Sequence, residues 1–157
     1  HTSEMLQKAD EHEGSAFVEI YQNCNVFNDK AFIALTGREE RDTNRINLEH
    51  GKPVTFGAND ERGVVIRDGV AHIVDVAEVG ADALHVHDAH AEHPSAAFAL
   101  SRLSHGPFGP TPIGVFRSVQ PTRYETELQE QTLQAQSKKG PGDLATLITS
   151  TGTWTVD

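Results

Sequence analysis

The pair Asp68-Gly69 stands between two runs of alternating apolar character, Gly63 to Arg67 and Val70 to Val76. A type I′ hairpin loop needs positive φ at both central positions, which Asp and Gly tolerate, and its twist suits the flanking strands. The two runs are therefore expected to pair antiparallel in a fixed register. Val54-Thr55-Phe56-Gly57 reads as a short strand ahead of this hairpin, and Ala83 to His87 as a further one behind it.

Around that centre the periodicity predicts mixed α/β structure. Met5, Leu6 and Ala9 recur at helical spacing over residues 3–13, with Ser3 as N-cap and Gly14 as stop. Ser15-Ala16-Phe17-Val18-Glu19-Ile20-Tyr21 is nearly continuous in apolar character and reads as a two-sided strand of a parallel sheet. It ends at Gln22-Asn23-Cys24-Asn25, so Cys24 is expected just past a strand's carboxyl end, the side on which open α/β sheets assemble ligand sites. Residues 36–50 carry a loose helical pattern through Leu35, Ile46 and Leu48. Pro94-Ser95 opens a helix to Leu103, and Phe98 and Trp154 read as core anchors. Gly106 to Pro112 is too rich in Gly and Pro for helix and reads as a stiff connection. A strand over 113–119 follows, then a long polar helix from Thr122 to Lys139, a break at Gly140-Pro141-Gly142, a helix capped by Asp143, and the closing Thr153-Trp154-Thr155-Val156. The fold class expected is α/β: the remnant of a parallel-sheet domain, then a mixed extension with a hairpin.

Composition narrows the function classes. The chain has 157 residues and a formal net charge of −10, with no run of Lys or Arg, which argues against nucleic acid or an anionic membrane as partner. No stretch approaches the ~18 apolar residues of a membrane span. A single cysteine excludes an internal disulfide framework and points to a cytoplasmic setting. His1-Thr2-Ser3-Glu4 has neither an initiator Met nor a signal layout, and reads as a piece of a longer chain.

Two constellations could carry chemistry. A lone Cys in apolar sequence is most often an inert buried residue, but Cys24 is flanked by amides that could donate N–H groups to a sulfur, as around iron–sulfur centres. One thiolate cannot hold such a cluster, which takes about four. His85 and His87, at i and i+2 on one strand face, with His90 and His93 nearby, could share a metal; the bland reading is a solvated strand end and loop. Dinucleotide, phosphate-loop, nucleophile-elbow and zincin motifs are absent. A His-rich metal-binding module and a non-catalytic interaction domain docking through the Gln-rich helix remain as alternatives.

The string Phe17-Val18-Glu19-Ile20-Tyr21-Gln22-Asn23-Cys24-Asn25-Val26-Phe27-Asn28-Asp29 closely resembles the β subunit of 2-oxoacid:ferredoxin oxidoreductases, especially the 2-oxoglutarate type. The resemblance continues through His50 to Gly57, Val86-His87-Asp88, Pro94 to Leu103, Thr111 to Val119, and Lys139-Gly140-Pro141-Gly142-Asp143-Leu144 to Thr153-Trp154. It covers essentially the whole chain except the Gly106–Pro110 stretch, to which no role is attached.

The resemblance implies thiamine diphosphate with Mg²⁺ for decarboxylation of 2-oxoglutarate, a [4Fe–4S] cluster passing electrons to ferredoxin, and coenzyme A accepting the acyl group as succinyl-CoA. It implies that Cys24 is the fourth cluster ligand, with Asn25 and Asn28 expected to hydrogen-bond near the cluster, and that the partners are an α subunit and ferredoxin. The other three cysteines and the Gly-Asp-Gly motif for Mg²⁺ and diphosphate are expected upstream of His1. Residues 1–35 then correspond to the end of the thiamine-diphosphate-binding domain and 36–157 to its C-terminal extension. No residue here is assigned a catalytic role, and the chain alone is expected to be inactive.

Overall fold

The computed structural model describes residues 1–103, 109–150, 152, 154 and 156. In chain order these form α1 (Thr2–Asp10), α2 (Ile33–Thr36), α3 (Arg41–Asn44), β1 (Arg45–Leu48), β2 (Thr55–Phe56), β3 (Arg62–Arg67), β4 (Val70–Asp75), α4 (Val76–Val79), a 3-10 turn at Ala81–Ala83, α5 (Ser95–Ser101), β5 (Thr111–Gly114), α6 (Tyr124–Lys139) and α7 (Leu144–Ile148). They fall into two compact units, His1–Gln120 and Pro121–Asp157.

The Asp68-Gly69 hairpin forms as expected. Both residues have positive φ, 51° and 77°, and β3 and β4 pair antiparallel from Arg62↔Asp75 to Arg67↔Val70. On the other side of β3, Val64 donates its N–H to the Val54 carbonyl at 3.0 Å and accepts from the His85 N–H at 2.8 Å. β2 pairs there through Thr55↔Gly63 and Phe56↔Arg62, giving a sheet ordered β2-β3-β4.

The strand expected over Ala83–His87 is only partly realised. Ala81–Ala83 turns as 3-10 helix, and the rest makes a bridge, Val86↔Pro53. The bridge is flanked by hydrogen bonds from Val54 to His85 and from His87 to Lys52, each 2.9 Å, and a further one runs from the Gly51 N–H to the His87 carbonyl at 2.8 Å.

A parallel pairing is present, but not where the sequence pattern placed it. β1 pairs with β5 from Arg45↔Thr111 to Leu48↔Gly114, so the end of the loosely helical 36–50 stretch is a strand. Ile46 and Leu48 are buried while Asn47 between them is exposed, a period of two that a helical reading misses. β5 begins earlier than the expected 113–119 and ends at Gly114, whose φ is 115°; a Cβ there would lie 2.9 Å from the Leu48 carbonyl oxygen, so the close approach of β1 needs glycine. Pro112 is accommodated within this two-stranded pair.

The expected strand over Ser15–Tyr21 does not form. Those residues have no ladder partner among the described residues, and Phe17 is 91% exposed. A two-sided apolar strand gains its stability from neighbours on both edges and faces, and without them nothing offsets the entropy of extending it.

The core gathers Ile46, Leu48, Val54, Phe56, Val64, Leu100 and Leu103, with Ile66, Ala71, Ile73 and Phe116 packed against it. α5 turns Ala99 and Leu100 inward, which leaves Phe98 on the outer side, 62% exposed with the Arg102 guanidinium over its ring. Phe98 is therefore not a core anchor. Nor is Trp154, at 83% exposure.

In the second unit α6 ends at Gly140, with φ of 81°, and Asp143 caps α7 by accepting from the Thr146 N–H at 2.7 Å, both as expected. Part of the Gly106–Pro110 stretch, and Thr153 and Thr155, lie outside the described residues. Among the described residues no helix is long and apolar enough to cross a membrane.

Leu100 is fully buried at the centre of this core. Leu100→Ala is expected to destabilise the chain by about 2–5 kcal/mol, read as a lower urea midpoint at unchanged m-value.

Candidate functional site

Cys24 opens a tight turn. Its carbonyl accepts from the Asn28 N–H at 2.9 Å, closing an isolated bridge between the two residues. The turn is braced by Asn23, whose carboxamide works at both ends. The nitrogen donates to Asn25 Oδ1 at 2.6 Å and to Asp29 Oδ1 at 2.9 Å, while the oxygen accepts from the Lys30 N–H at 2.8 Å. Lys30 is held at φ 62°, where the chain reverses into Ala31, Ala34 and Leu35, all buried. The Leu35 carbonyl accepts from Arg45 Nε at 2.6 Å, tying α2 to the start of β1. Tyr21 stacks on Phe32 with centroids 4.9 Å apart, joining the segment before the turn to the one after it.

The thiol is exposed. Backbone N–H groups of Phe27, then Val26 and Asn28, point at the sulfur and hold its pKa below the usual thiol value. Hydrogen bonds from main-chain N–H groups stabilise the ionised sulfur relative to the neutral thiol, more than at an unperturbed cysteine. The N–H donors are main-chain groups. Asn25 gives its side chain to Asn23, and Asn28 contributes its backbone N–H. Asn23 was not singled out from the sequence. The available signal was an Asx residue at the start of a polar turn, a type that bonds its own backbone a few residues on.

The histidines do not converge. His87 is 1% exposed, with Nε2 2.8 Å from the Val115 carbonyl oxygen, so that nitrogen carries the proton. His90 Nδ1 lies 2.7 Å from the Ser118 carbonyl oxygen. These two rings, with the Arg117 guanidinium on the carbonyls of Ala91 and Glu92, strap residues 115–118 to the 87–92 loop. His85 and His87 face one another edge-on at 6.5 Å. Among the described residues no group of three or more His, Cys, Asp or Glu is arranged to hold a metal ion, and a His-rich metal-binding module gains no support.

Set beside curated proteins, the chain is similar to part of an oxidoreductase subunit. It is 40% identical over 159 aligned residues to the 2-oxoglutarate oxidoreductase subunit KorB of Mycobacterium tuberculosis, a match that takes in 99% of this chain and 42% of that relative. The likeness bears out the resemblance to the β subunits of 2-oxoacid:ferredoxin oxidoreductases, and the chain spans under half the length of the relative it matches. No protein-family model matches the chain, and no solved structure does.

Two expectations follow from this geometry. Burial, and secondarily the neighbouring His87, lower the His85 pKa from its ordinary value, so the unfolded chain binds the proton more readily than the folded one. The resulting stability is fully present above the unfolded pKa of ~6.5 and is lost as pH falls through the depressed folded value. Urea midpoints are expected to drop on acidification across that window, and His85→Gln to flatten the dependence. For Cys24, the alkylation rate plotted against pH should turn over below the ordinary thiol range in the folded chain, and return to it in urea.

Proposed function

We propose that this chain serves within a complex that oxidatively decarboxylates 2-oxoglutarate to succinyl-CoA and reduces ferredoxin, working beside an α subunit in the cytoplasm. The sequence likeness to a 2-oxoglutarate oxidoreductase subunit over nearly the whole chain carries this reading.

In that assembly thiamine diphosphate, with Mg²⁺, would supply the decarboxylation chemistry and a [4Fe–4S] cluster the one-electron steps. The residues of this chain fit one part of the set. Cys24 presents an exposed sulfur whose pKa is lowered by the Phe27, Val26 and Asn28 amides, which suits a thiolate ligand whose remaining lone pairs accept N–H bonds. Such bonds to a ligating sulfur tune the potential of a cluster, and here they come from main-chain N–H groups. Asn25 and Asn28 belong to the same turn and would shape it around the cluster edge. The chain's one cysteine falls short of the roughly four that a cluster takes, and the turnover machinery is assigned to the rest of the subunit.

The test takes the full-length subunit with its α partner. Cys24→Ala is expected to remove the iron–sulfur absorbance and 2-oxoglutarate-dependent ferredoxin reduction together, and the 157-residue chain given thiamine diphosphate, Mg²⁺ and coenzyme A should show no turnover. Unchanged iron content in the variant would overturn the ligand assignment, and a parent complex inert toward 2-oxoglutarate would overturn the reaction.

A further inference from the structure

The main-chain N–H groups that point at the Cys24 sulfur belong to three consecutive residues, Val26, Phe27 and Asn28. The side chains of Val26 and Phe27 stand in solvent, so packing does not aim their peptides. Their direction is set by what grips the chain at either end of the run. One side chain, Asn23, spans both ends. Its Nδ2 donates to Asn25 Oδ1 at 2.6 Å on one side and to Asp29 Oδ1 at 2.9 Å on the other, and its Oδ1 accepts from the Lys30 N–H at 2.8 Å.

The last of these bonds falls where the chain needs support. Lys30 has φ of 62°, a left-handed value that a residue with a Cβ disfavours unless its surroundings hold it there. A carboxamide is planar, so its two donor directions and its acceptor direction are fixed relative to one another, and one group sets the spacing of all three attachment points. The stack of Tyr21 on Phe32, with centroids 4.9 Å apart, joins the flanking segments without using Asn23. Loss of the carboxamide therefore loosens the turn and leaves the segment's ends joined.

We propose that Asn23 is a positioning residue for the Cys24 centre, its carboxamide fixing the direction of the Val26, Phe27 and Asn28 N–H groups and through them the potential of the cluster that Cys24 ligates. The inference rests on the reading of Cys24 as a cluster ligand. N–H groups bonded to a ligating sulfur stabilise the more negative, reduced cluster and so raise its potential. Asn23 acts on the sulfur only by way of these peptides.

Two measurements test it. In the metal-free 157-residue chain, Asn23→Ala is expected to speed amide hydrogen exchange at Asn28 and Lys30 about tenfold, with Val64 in the core unchanged. In the full-length subunit with its α partner, the same variant should keep its iron–sulfur absorbance while the cluster midpoint falls by about a tenfold change in the reduction equilibrium, ~59 mV for one electron. Where Asn23→Ala sheds its iron, Asn23→Ser supplies the potential, since a hydroxyl is too short to span both ends of the turn. Unchanged exchange at Asn28 and Lys30, or a cluster at the wild-type potential, overturns the inference. Iron that survives Cys24→Ala sinks the ligand reading instead, and leaves the exchange result standing.

Discussion

The main chain of Val64 holds the first unit together. Its N–H and C=O reach two different segments, Val54 and His85, while the residues on either side of it bond to β4. One strand therefore fixes the hairpin on one side and the 85–87 crossing on the other. The apolar side chains follow from that arrangement: with β3 in place, Val64 and Ile66 turn toward Leu100 and Leu103 of the α5 region, and Ile46 and Leu48 complete the enclosure. A backbone bond left unmade inside such a core costs about 1–3 kcal/mol, comparable to losing a buried methyl cluster, so the bonding scheme and the packing select the same fold.

The candidate site is built on a different principle. The Cys24 turn is short, solvent-facing and almost free of apolar contacts, and its order comes from polar bonds made by one carboxamide and by main-chain N–H groups. Exposed hydrogen bonds add little to global stability, but they can fix direction, which is what an anion at the sulfur requires. The adjoining Phe17, Val26 and Phe27 are 91%, 79% and 91% exposed, an apolar surface of the kind that marks interaction sites.

Legibility from sequence divides along the same line. Local chemistry was readable: Asp68-Gly69 gave both positive φ values, Gly140 ended α6, and Asp143 capped α7. Each depends on a few adjacent residues. What could not be read depended on partners far along the chain. Arg45–Leu48 is a strand because Thr111–Gly114 lies beside it, and four residues with two apolar side chains fit a helix as well as a strand until that partner is known. Ser15–Tyr21 is the converse, a strand composition without a neighbouring strand. Cys24 stood out as the one cysteine in amide-rich sequence, whereas the donors that act on it are peptide groups, which every residue carries and no sequence motif advertises. The burial of His87 against Val115 was equally hidden, since it rests on a chain separation of 28 residues.

The carboxamide of Asn23 has a further bearing on how the turn behaves. It offers both a donor and an acceptor, and it has no ionisable proton. Acid or base strong enough to change the sulfur's own charge leaves this brace in the same state, so the loop need not rearrange when its anion comes or goes. An aspartate there could accept from Lys30 but could not donate to Asn25 and Asp29, and would set its carboxylate against that of Asp29 and the carboxamide oxygen of Asn25. Shape at this turn is thus uncoupled from charge, and the preorganisation that a thiolate centre relies on is supplied by a neutral group.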